Sequence, residues 1–188
     1  MADNNVLSDK SRESGPSFTL INRVKRVAWW LVYMTLFRFT IPQMHAWRIM
    51  LLRLFGAQIG KNCHVYPRVL IWAPWNLVMK NHSCLANNVT CYSQALITIE
   101  EYAIVSQGAH LCAGTHDYND PDFQLIALPI TIGKKAWVCA EAFVGPGVEV
   151  AEGSVLGARA VTMKNLQPWK IYSGNPAVFV KDRVLREK

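Results

Sequence analysis

The sequence predicts an all-β solenoid, in which short strands wind around a single core. Within residues 132–161 an aliphatic residue recurs at every sixth position, and a small or compact residue follows each one four positions later. A helix turns about 100° per residue, so a six-residue step would scatter these aliphatics over three of its faces. Short extended segments joined by tight corners instead turn all of them inward, and an even period suits strands. The aliphatics are Ile132, Val138, Val144, Val150 and Leu156, and the small residues are Ala136, Ala142, Val148, Ser154 and Ala160.

The same six-residue phase runs back to the middle of the chain. Three hexads make one three-sided coil, so the coils begin at Ile59, Met79, Ile99, Ile132 and Val150. The long step from Ile99 to Ile132 predicts that residues 115–131, THDYNDPDFQLIALPIT, leave the solenoid as a loop. An excursion from so regular a scaffold is more often functional than accidental.

The solenoid is flanked by segments that lack the repeat. Residues 1–17 are polar and predict a disordered or loosely docked tail, which is not a secretory signal. Residues 18–56 predict a helical, aromatic-rich and basic segment, with Pro42 separating helices over about 19–40 and 43–55 and Gly56 ending the second. We assign residues 57–163 to the solenoid and 164–188 to a C-terminal cap, helical or extended.

The helical segment has two interpretations. Its aromatic residues lie among Arg and Lys, which suits a helix pair lying on a membrane surface, although its apolar run is shorter than the roughly 20 residues that span a bilayer. Alternatively, the aromatics cover the open end of the solenoid or pack on a neighbouring subunit, because an open end exposes unpaired strand edges. The sequence leaves both interpretations open.

Charge and cysteine content limit the functional classes. The net charge is +7, and no Asp or Glu occurs between Ser14 and Ile99, so one half of the molecule is cationic. Such a surface favours phosphates, anionic lipid headgroups or acidic sugars, whereas no nucleic-acid-binding module is present and we expect no nucleic-acid partner. The five cysteines lack metal-site spacing and fall on the repeat, which indicates core or wall residues in a reducing, cytoplasmic compartment.

The residues best suited to chemistry stand where the loop leaves the third coil. His116 can act as a general base near neutral pH, Asp117 is a carboxylate that could fix its tautomer, and corner N–H groups of the solenoid could stabilise an oxyanion. His110 lies one hexad earlier, which raises the alternative of zinc held by stacked imidazoles. No third ligand is evident, so we expect no metal.

The hexads, the histidine loop and the C-terminal SGNPA motif together resemble the hexapeptide-repeat acyltransferases. The matching stretches are VSQGAHLCAGTHDY (105–118), PITIGKKAWVCAEAFVGPGVEVAEGSVLGARAV (129–161) and SGNPA (173–177). The resemblance is nearest to the maltose, galactoside and nodulation O-acetyltransferases, and among these to the colanic-acid-type polysaccharide acetyltransferases. It implies a left-handed parallel β-helix and a homotrimer with sites between neighbouring solenoids.

The resemblance also implies roles for individual residues. His116 would take a proton from a sugar hydroxyl that attacks acetyl-CoA directly, without an acyl-enzyme. Trp137 would line the thioester end of the cleft, Ala140 and Ala158 would contact the pantetheine arm through their backbones, and Lys164, with Lys181 or Arg183, would lie toward the phosphates. On the acceptor side, Asn87, Asn88, Tyr92 and Gln94 are either sugar ligands or ordinary corner residues.

These observations predict an acetyl-CoA-dependent O-acetyltransferase acting on a saccharide, which the basic N-terminal half suggests is lipid-linked. The enzyme would work in the cytoplasm, at the inner face of the plasma membrane if residues 20–55 contact it. Two alternatives remain at this stage. One is a metal-dependent hydratase of the carbonic anhydrase kind, and the other is a non-catalytic trimeric scaffold docked at the membrane.

Overall fold

A computed structural model describes residues 17–185, so all but the last residue of the expected N-terminal tail lies outside it. The chain first forms α1 (Leu20–Val32), which runs on into a π-helical turn over Tyr33–Phe37. After a break around Pro42 it forms α2 (His45–Leu54), and the chain turns at Gly56 with φ of 92°. The two predicted helices are therefore confirmed. No helix among residues 17–185 is long and apolar enough to cross a bilayer.

Short strands then follow one another as far as Asp182. The first three coils contain β1 (Gln58–Ile59), β2 (His64–Val65), β3 (Leu70–Ile71), β4 (Leu77–Met79), β5 (Cys84–Leu85), β6 (Thr90–Tyr92), β7 (Ile97–Ile99), β8 (Ile104–Val105) and β9 (His110–Cys112). The inserted segment contains β10 (Gly114–His116) and β11 (Leu125–Ala127). The remaining strands are β12 (Ile130–Ile132), β13 (Trp137–Val138), β14 (Phe143–Val144), β15 (Glu149–Val150), β16 (Val155–Leu156), β17 (Val161–Thr162), β18 (Lys170–Ser173) and β19 (Val178–Asp182).

The coils stack into three parallel sheets, which we call the first, second and third faces. The first face has the order β1-β4-β7-β12-β15, the second carries β2, β5, β8, β13, β16 and β18, and the third has β3, β6, β9, β14 and β17. Each predicted coil start pairs with the next, so that Met79 lies beside both Ile59 and Ile99, and Ile132 lies beside Ile99 and Val150. The predicted solenoid and its six-residue register are confirmed.

The interior consists of the residues that the repeat picked out. Val65, Leu85, Val105, Val138 and Leu156 of the second face are fully buried, and so are the small corner residues Ala103, Ala142 and Ala160. Gly133 lies where successive coils approach closely, because a Cβ placed there would lie 2.9 Å from the carbonyl oxygen of Val150. Aliphatic burial on three sides explains why the prism is rigid enough to position an external loop.

Both helices pack on the solenoid. The indole of Trp29 is buried and donates a hydrogen bond to the carbonyl oxygen of Ile71 at 2.7 Å, which fixes α1 on the third face. Leu52 of α2 is fully buried near the first coil. Arg48 is also fully buried and donates to Val65 O at 2.7 Å and to Thr40 Oγ1 at 2.7 Å. Helix α2 therefore covers the open end of the prism beside β1 and β2, while α1 lies on the third face with its outer side exposed.

The C-terminal segment is extended rather than helical. Leu166 bridges Val150 and β18 pairs with β16, so stacking continues beyond the last aliphatic found in the sequence. Strand β19 folds back on β18 in an antiparallel hairpin after the cis Asn175–Pro176 bond.

Candidate active site

His116 lies on a β-hairpin that projects from the third face. Strands β10 and β11 pair antiparallel, with His116 opposite Leu125, so the predicted loop is an ordered arm whose imidazole is exposed. Nδ1 of His116 lies 2.8 Å from the carbonyl oxygen of Phe123, and the two rings stack at 4.7 Å. A carbonyl oxygen only accepts, so Nδ1 carries the proton and Nε2 is left with its lone pair. The ring is thus held in the tautomer that a general base needs.

Asp117 does not orient this imidazole within the protomer. Its Oδ1 accepts a hydrogen bond from the backbone N–H of Asn119 at 3.0 Å, and its own N–H donates to Gln124 O. No hydrogen bond between residues 17 and 185 joins the Asp117 carboxylate to His116. Asp117 therefore shapes the hairpin turn, and the Phe123 carbonyl occupies the place that the sequence suggested for a carboxylate.

Tyr92 and Gln94 lie at the root of the same hairpin. Gln94 is 7% exposed, and its Nε2 donates to the Tyr92 hydroxyl at 2.9 Å. Its Oε1 is buried with no hydrogen-bond partner among residues 17–185 and lies against Gly114, where any Cβ would overlap it. Burial raises the pKa of the Tyr92 hydroxyl, which stays protonated and able to donate. A buried acceptor that has no partner in the described part of the chain, next to the strand that carries His116, is the kind of group that a polar ligand satisfies.

Asn87 and Asn88 occupy the corner between the second and third faces. Asn87 Oδ1 accepts from the backbone N–H of Arg68 at 3.2 Å, and its carbonyl accepts from Gly108 N–H. Asn88 has φ of 60°, the left-handed conformation that Asn tolerates well, and its side chain is exposed. Both residues therefore serve the corner itself, and no hydrogen bond in the described part of the chain joins either of them to His116.

The residues expected to contact the co-substrate lie in a separate region. Trp137 projects from the second face, 44% exposed, and its Nε1 donates to Ser106 Oγ at 2.8 Å. Ala140 and Ala158 stack at the next corner, where Ala140 O accepts from Arg159 N–H at 2.9 Å. No hydrogen bond or ring contact within residues 17–185 links this group to His116. One protomer thus presents the two halves of the expected site on different surfaces.

The three basic residues expected to lie near the phosphates of the co-substrate differ in whether their side chains are hydrogen-bonded within the protein. Lys164 and Lys181 are exposed, with Lys181 on β19. Arg183 Nη1 donates to the carbonyl oxygens of Lys135 at 2.9 Å and Gly153 at 2.8 Å, so this guanidinium holds the C-terminal hairpin to the solenoid corner. The side chains of Lys164 and Lys181 form no hydrogen bond or ion pair with any residue between 17 and 185.

His110 lies on the third face and packs against Phe143 at 5.3 Å, with its Nε2 buried and unpaired within the described chain. Burial lowers the pKa of its imidazole, which favours the neutral ring. No group of three or more His, Cys, Asp or Glu side chains in residues 17–185 is arranged to hold a metal. All five cysteines are unpaired.

Comparison with known proteins identifies the family. The chain is 40% identical over 166 residues to the Escherichia coli K12 protein named "Putative colanic acid biosynthesis acetyltransferase WcaF", covering 88% of this chain and 91% of that protein. This chain belongs to the hexapeptide-repeat acetyltransferase family. No protein-family model matches the sequence.

Solved structures of family members share the fold. A maltose O-acetyltransferase from Clostridium difficile superposes with a TM-score of 0.81 at 19% identity, covering 89% of this chain and 90% of that one. A hexapeptide-repeat-containing acetyltransferase from Vibrio cholerae, solved with acetyl-CoA, gives a TM-score of 0.75 at 19% identity, with 86% and 87% coverage. The family therefore includes members whose structures contain the expected co-substrate.

Two neighbours of the site were not predicted from the sequence. Ser106 could have been found, because Val105 pairs with Val138 in the register and Ser106 thus lies one coil from Trp137. Phe123 carries no such signal, because its position depends on the turn of the hairpin and on a φ of 52°.

Proposed function

We propose that the protein transfers the acetyl group of acetyl-CoA to a sugar hydroxyl in exopolysaccharide biosynthesis, with His116 as general base. The observation that carries this proposal is the Nδ1 contact of His116 with the Phe123 carbonyl, at 2.8 Å. It leaves Nε2 as an exposed proton acceptor on the arm of an acetyltransferase fold. The name of the E. coli relative supports a polysaccharide pathway of the colanic acid kind.

The reaction requires the transfer of a single proton, from the sugar hydroxyl to the departing sulfur. Nε2 of His116 removes the proton of the sugar hydroxyl as its oxygen attacks the thioester carbon. The carbon–sulfur bond then breaks, and the imidazolium returns the proton to the departing sulfur. The Phe123 carbonyl stabilises the imidazolium, because it accepts from Nδ1–H throughout. Acetyl-CoA supplies an activated acyl group, so no covalent enzyme intermediate is required.

The residues of the second face suit a co-substrate with a narrow arm. Ala140 and Ala158 carry only methyl groups at their corner, so the pantetheine arm can approach the backbone there. The exposed ring of Trp137 offers an apolar surface for the thioester end. Lys164 and Lys181 are the cations that can reach phosphate groups, because the Arg183 guanidinium already donates hydrogen bonds to backbone carbonyl oxygens.

Tyr92 and Gln94 are the best placed acceptor ligands. Oε1 of Gln94 has no partner within residues 17–185 and lies beside Gly114, on the strand that carries His116, and the Tyr92 hydroxyl is hydrogen-bonded to Gln94. Asn87 and Asn88 would act at the rim of the cleft, where Asn88 is exposed. We propose that the acceptor is a saccharide on a lipid carrier, because residues 14–99 contain basic but no acidic side chains.

A complete site requires more than one protomer. His116 and Trp137 lie on different surfaces of a single chain, so a homotrimer with clefts between neighbouring solenoids would bring them together. We place the reaction on the cytoplasmic side of the plasma membrane, with α1 in peripheral contact with the inner leaflet.

The test compares two histidine variants in a transfer assay. Labelled acetyl-CoA is offered with a panel of nucleotide-linked and lipid-linked sugars, and labelled product is counted. His116→Asn should lower kcat about 10²–10⁴-fold because no base remains. His82→Asn is the matched control, since His82 is exposed at a solenoid corner and stacks on Tyr102. Transfer at the wild-type rate by a trimeric His116→Asn variant would rule the proposal out.

A further inference from the structure

A cavity of about 430 Å³ lies between α1 and the third face of the solenoid. Its inner wall is formed by buried Trp29 and Tyr33 of the helix and by Ile71 and Cys91 of the sheet. Its mouth is formed by Arg23, Arg26, Val27, Trp30, Leu70, Trp72, Thr90 and Tyr92. Of the residues that line this cavity, the mechanism proposed above uses only Tyr92.

Two arginines supply uncompensated positive charge at the mouth. The guanidinium of Arg26 lies over the Trp72 ring at 4.4 Å and near the Phe18 ring at 5.3 Å, and its Nε donates to Asn22 Oδ1 at 3.1 Å. Its two terminal nitrogens make no hydrogen bond within residues 17–185. Arg23 is exposed almost one helical turn earlier, and no carboxylate lines the cavity. Five N–H donors in a planar fork match phosphate oxygens.

The rest of the mouth is apolar and continues onto the outer side of α1. Val27 is 62% exposed and Trp30 is 57% exposed, so neither is covered by the solenoid. A second, shallow apolar depression shares Arg23 and Val27 with the cavity and extends over Leu20, Val24 and Leu31. An apolar path therefore leads from the arginines to the exposed surface of the helix.

A line of contacts also connects the cavity to the catalytic hairpin. The Trp72 and Tyr92 rings lie 5.9 Å apart, and the Tyr92 hydroxyl accepts from Gln94 at 2.9 Å. Gln94 in turn lies against Gly114, at the start of the strand that ends with His116. Consecutive contacts therefore link the cavity to the proposed acceptor ligands and to the strand that carries His116.

We infer that this cavity binds the diphosphate and the first isoprenyl units of a lipid-linked saccharide, which deepens the proposed function and rests on it. Arg23 and Arg26 would hold the diphosphate, the apolar path would hold the isoprenyl chain, and the sugar would extend past Tyr92 and Gln94 toward His116. A nucleotide-linked sugar fits less well, because its polar base and ribose would lie on Val27, Trp30 and Leu70.

The binding test uses farnesyl diphosphate as the probe, with the full-length protein and without acetyl-CoA. Titration calorimetry should show binding to the wild type, and about tenfold to a hundredfold weaker binding to Arg23→Gln, which loses one charged contact to phosphate. Lys25→Gln is the matched control, because it removes the same charge from the same helix, but its Nζ lies over the Trp75 ring at 5.7 Å, outside the cavity. It should bind as the wild type does.

Inorganic diphosphate and a nucleotide sugar, UDP-glucose, complete the experiment. Both should bind at least about tenfold more weakly than farnesyl diphosphate, since neither fills the apolar path. The inference is overturned if Arg23→Gln and Lys25→Gln bind alike, if UDP-glucose binds more tightly, or if farnesyl diphosphate does not bind because a second copy of the chain covers the groove.

The outcomes separate this inference from the proposed function. Acetyl transfer that depends on His116, without binding of farnesyl diphosphate, leaves the acetyltransferase and removes only the lipid site. Binding of farnesyl diphosphate that depends on Arg23, without acetyl transfer to any sugar, leaves the lipid site and removes the acetyltransferase activity.

Discussion

The imidazole of His116 is held from two sides by a single residue, Phe123. The Phe123 carbonyl oxygen lies 2.8 Å from Nδ1, and its ring stacks on the imidazole at 4.7 Å with an angle of 12° between the planes. The two residues face each other across the hairpin turn, so the inserted arm carries the imidazole together with the group that orients it. In the proposed mechanism, this arm would present an imidazole whose orientation and tautomer are already set.

Removing the Phe123 ring tests this arrangement. Phe123→Ala keeps the carbonyl but frees the imidazole to rotate, so kcat should fall about tenfold to a hundredfold while the KM for acetyl-CoA is unchanged. Tyr118→Ala is the matched control, because Tyr118 is an aromatic residue of the same arm and is 82% exposed. Steady-state kinetics of both variants decide the matter. An equal loss in both would show that the ring does not position His116.

The hydrogen bond between Trp137 and Ser106 makes a second prediction. Ser106→Ala removes the acceptor of the indole N–H at 2.8 Å, so the ring that is expected to line the thioester end becomes less fixed. The KM for acetyl-CoA should rise about threefold to tenfold, with a smaller change in kcat. Ser106→Thr keeps the hydroxyl and should restore the wild-type KM. If threonine and alanine behave alike, the hydroxyl is not what positions Trp137.

The solenoid could be predicted from the sequence alone, because each repeated aliphatic residue stacks on its equivalent in the next coil. Every coil start from Ile59 to Val150 was found, since each buried aliphatic must lie over the next. The stacking beyond Thr162 was not found, because Leu166 and Tyr172 are separated by a proline-containing turn that breaks the count. The six-residue periodicity therefore predicts the regular coils of the solenoid but does not predict its last coil.

The candidate site was predicted less completely, for a physical reason. His116 lies where the six-residue repeat is interrupted, so its place in the fold could be predicted from the repeat. The partner of its Nδ1 did not, because the hairpin brings Phe123 back to it while Asp117 turns toward Asn119. Adjacent residues on a strand face opposite sides, and this alternation separates Asp117 from the imidazole.

The half-buried imidazole of His110 should make stability depend on pH. Burial lowers the pKa of this histidine in the folded state, and the unfolded chain returns it to about 6.5. As the pH falls below the unfolded value, the unfolded state takes up the proton first, so the free energy of unfolding decreases. Urea titrations between about pH 8 and about pH 5 should show this loss around the ordinary histidine pKa.

His110→Leu is the variant that identifies the source of the effect. It removes the buried and unpaired Nε2 beside Phe143, so the loss of stability on acidification should become smaller. A residual slope is expected because burial also lowers the pKa of His45. A wild-type slope in His110→Leu would assign the pH dependence to other groups.

The exposed side of α1 makes the last prediction, which concerns membrane contact. Ile21 is 70% exposed and Val24 is 60% exposed, although the opposite side of the helix packs on the solenoid through Trp29. An apolar helix surface flanked by Arg and Lys binds anionic bilayers through both area and charge. Wild-type protein should therefore sediment with phosphatidylglycerol-containing vesicles, and less so at high salt.

Val24→Asp should weaken binding to these vesicles about tenfold or more. It removes apolar area that the bilayer would bury and adds a negative charge that anionic lipids repel. Met163→Asp is the matched control, since Met163 is 61% exposed on the solenoid and undergoes the same change in charge. Both variants should keep the wild-type oligomeric mass, which separates lipid contact from subunit contact. If Val24→Asp instead dissociates the assembly while vesicle binding persists, the outer side of α1 is a subunit interface, and the membrane is contacted elsewhere.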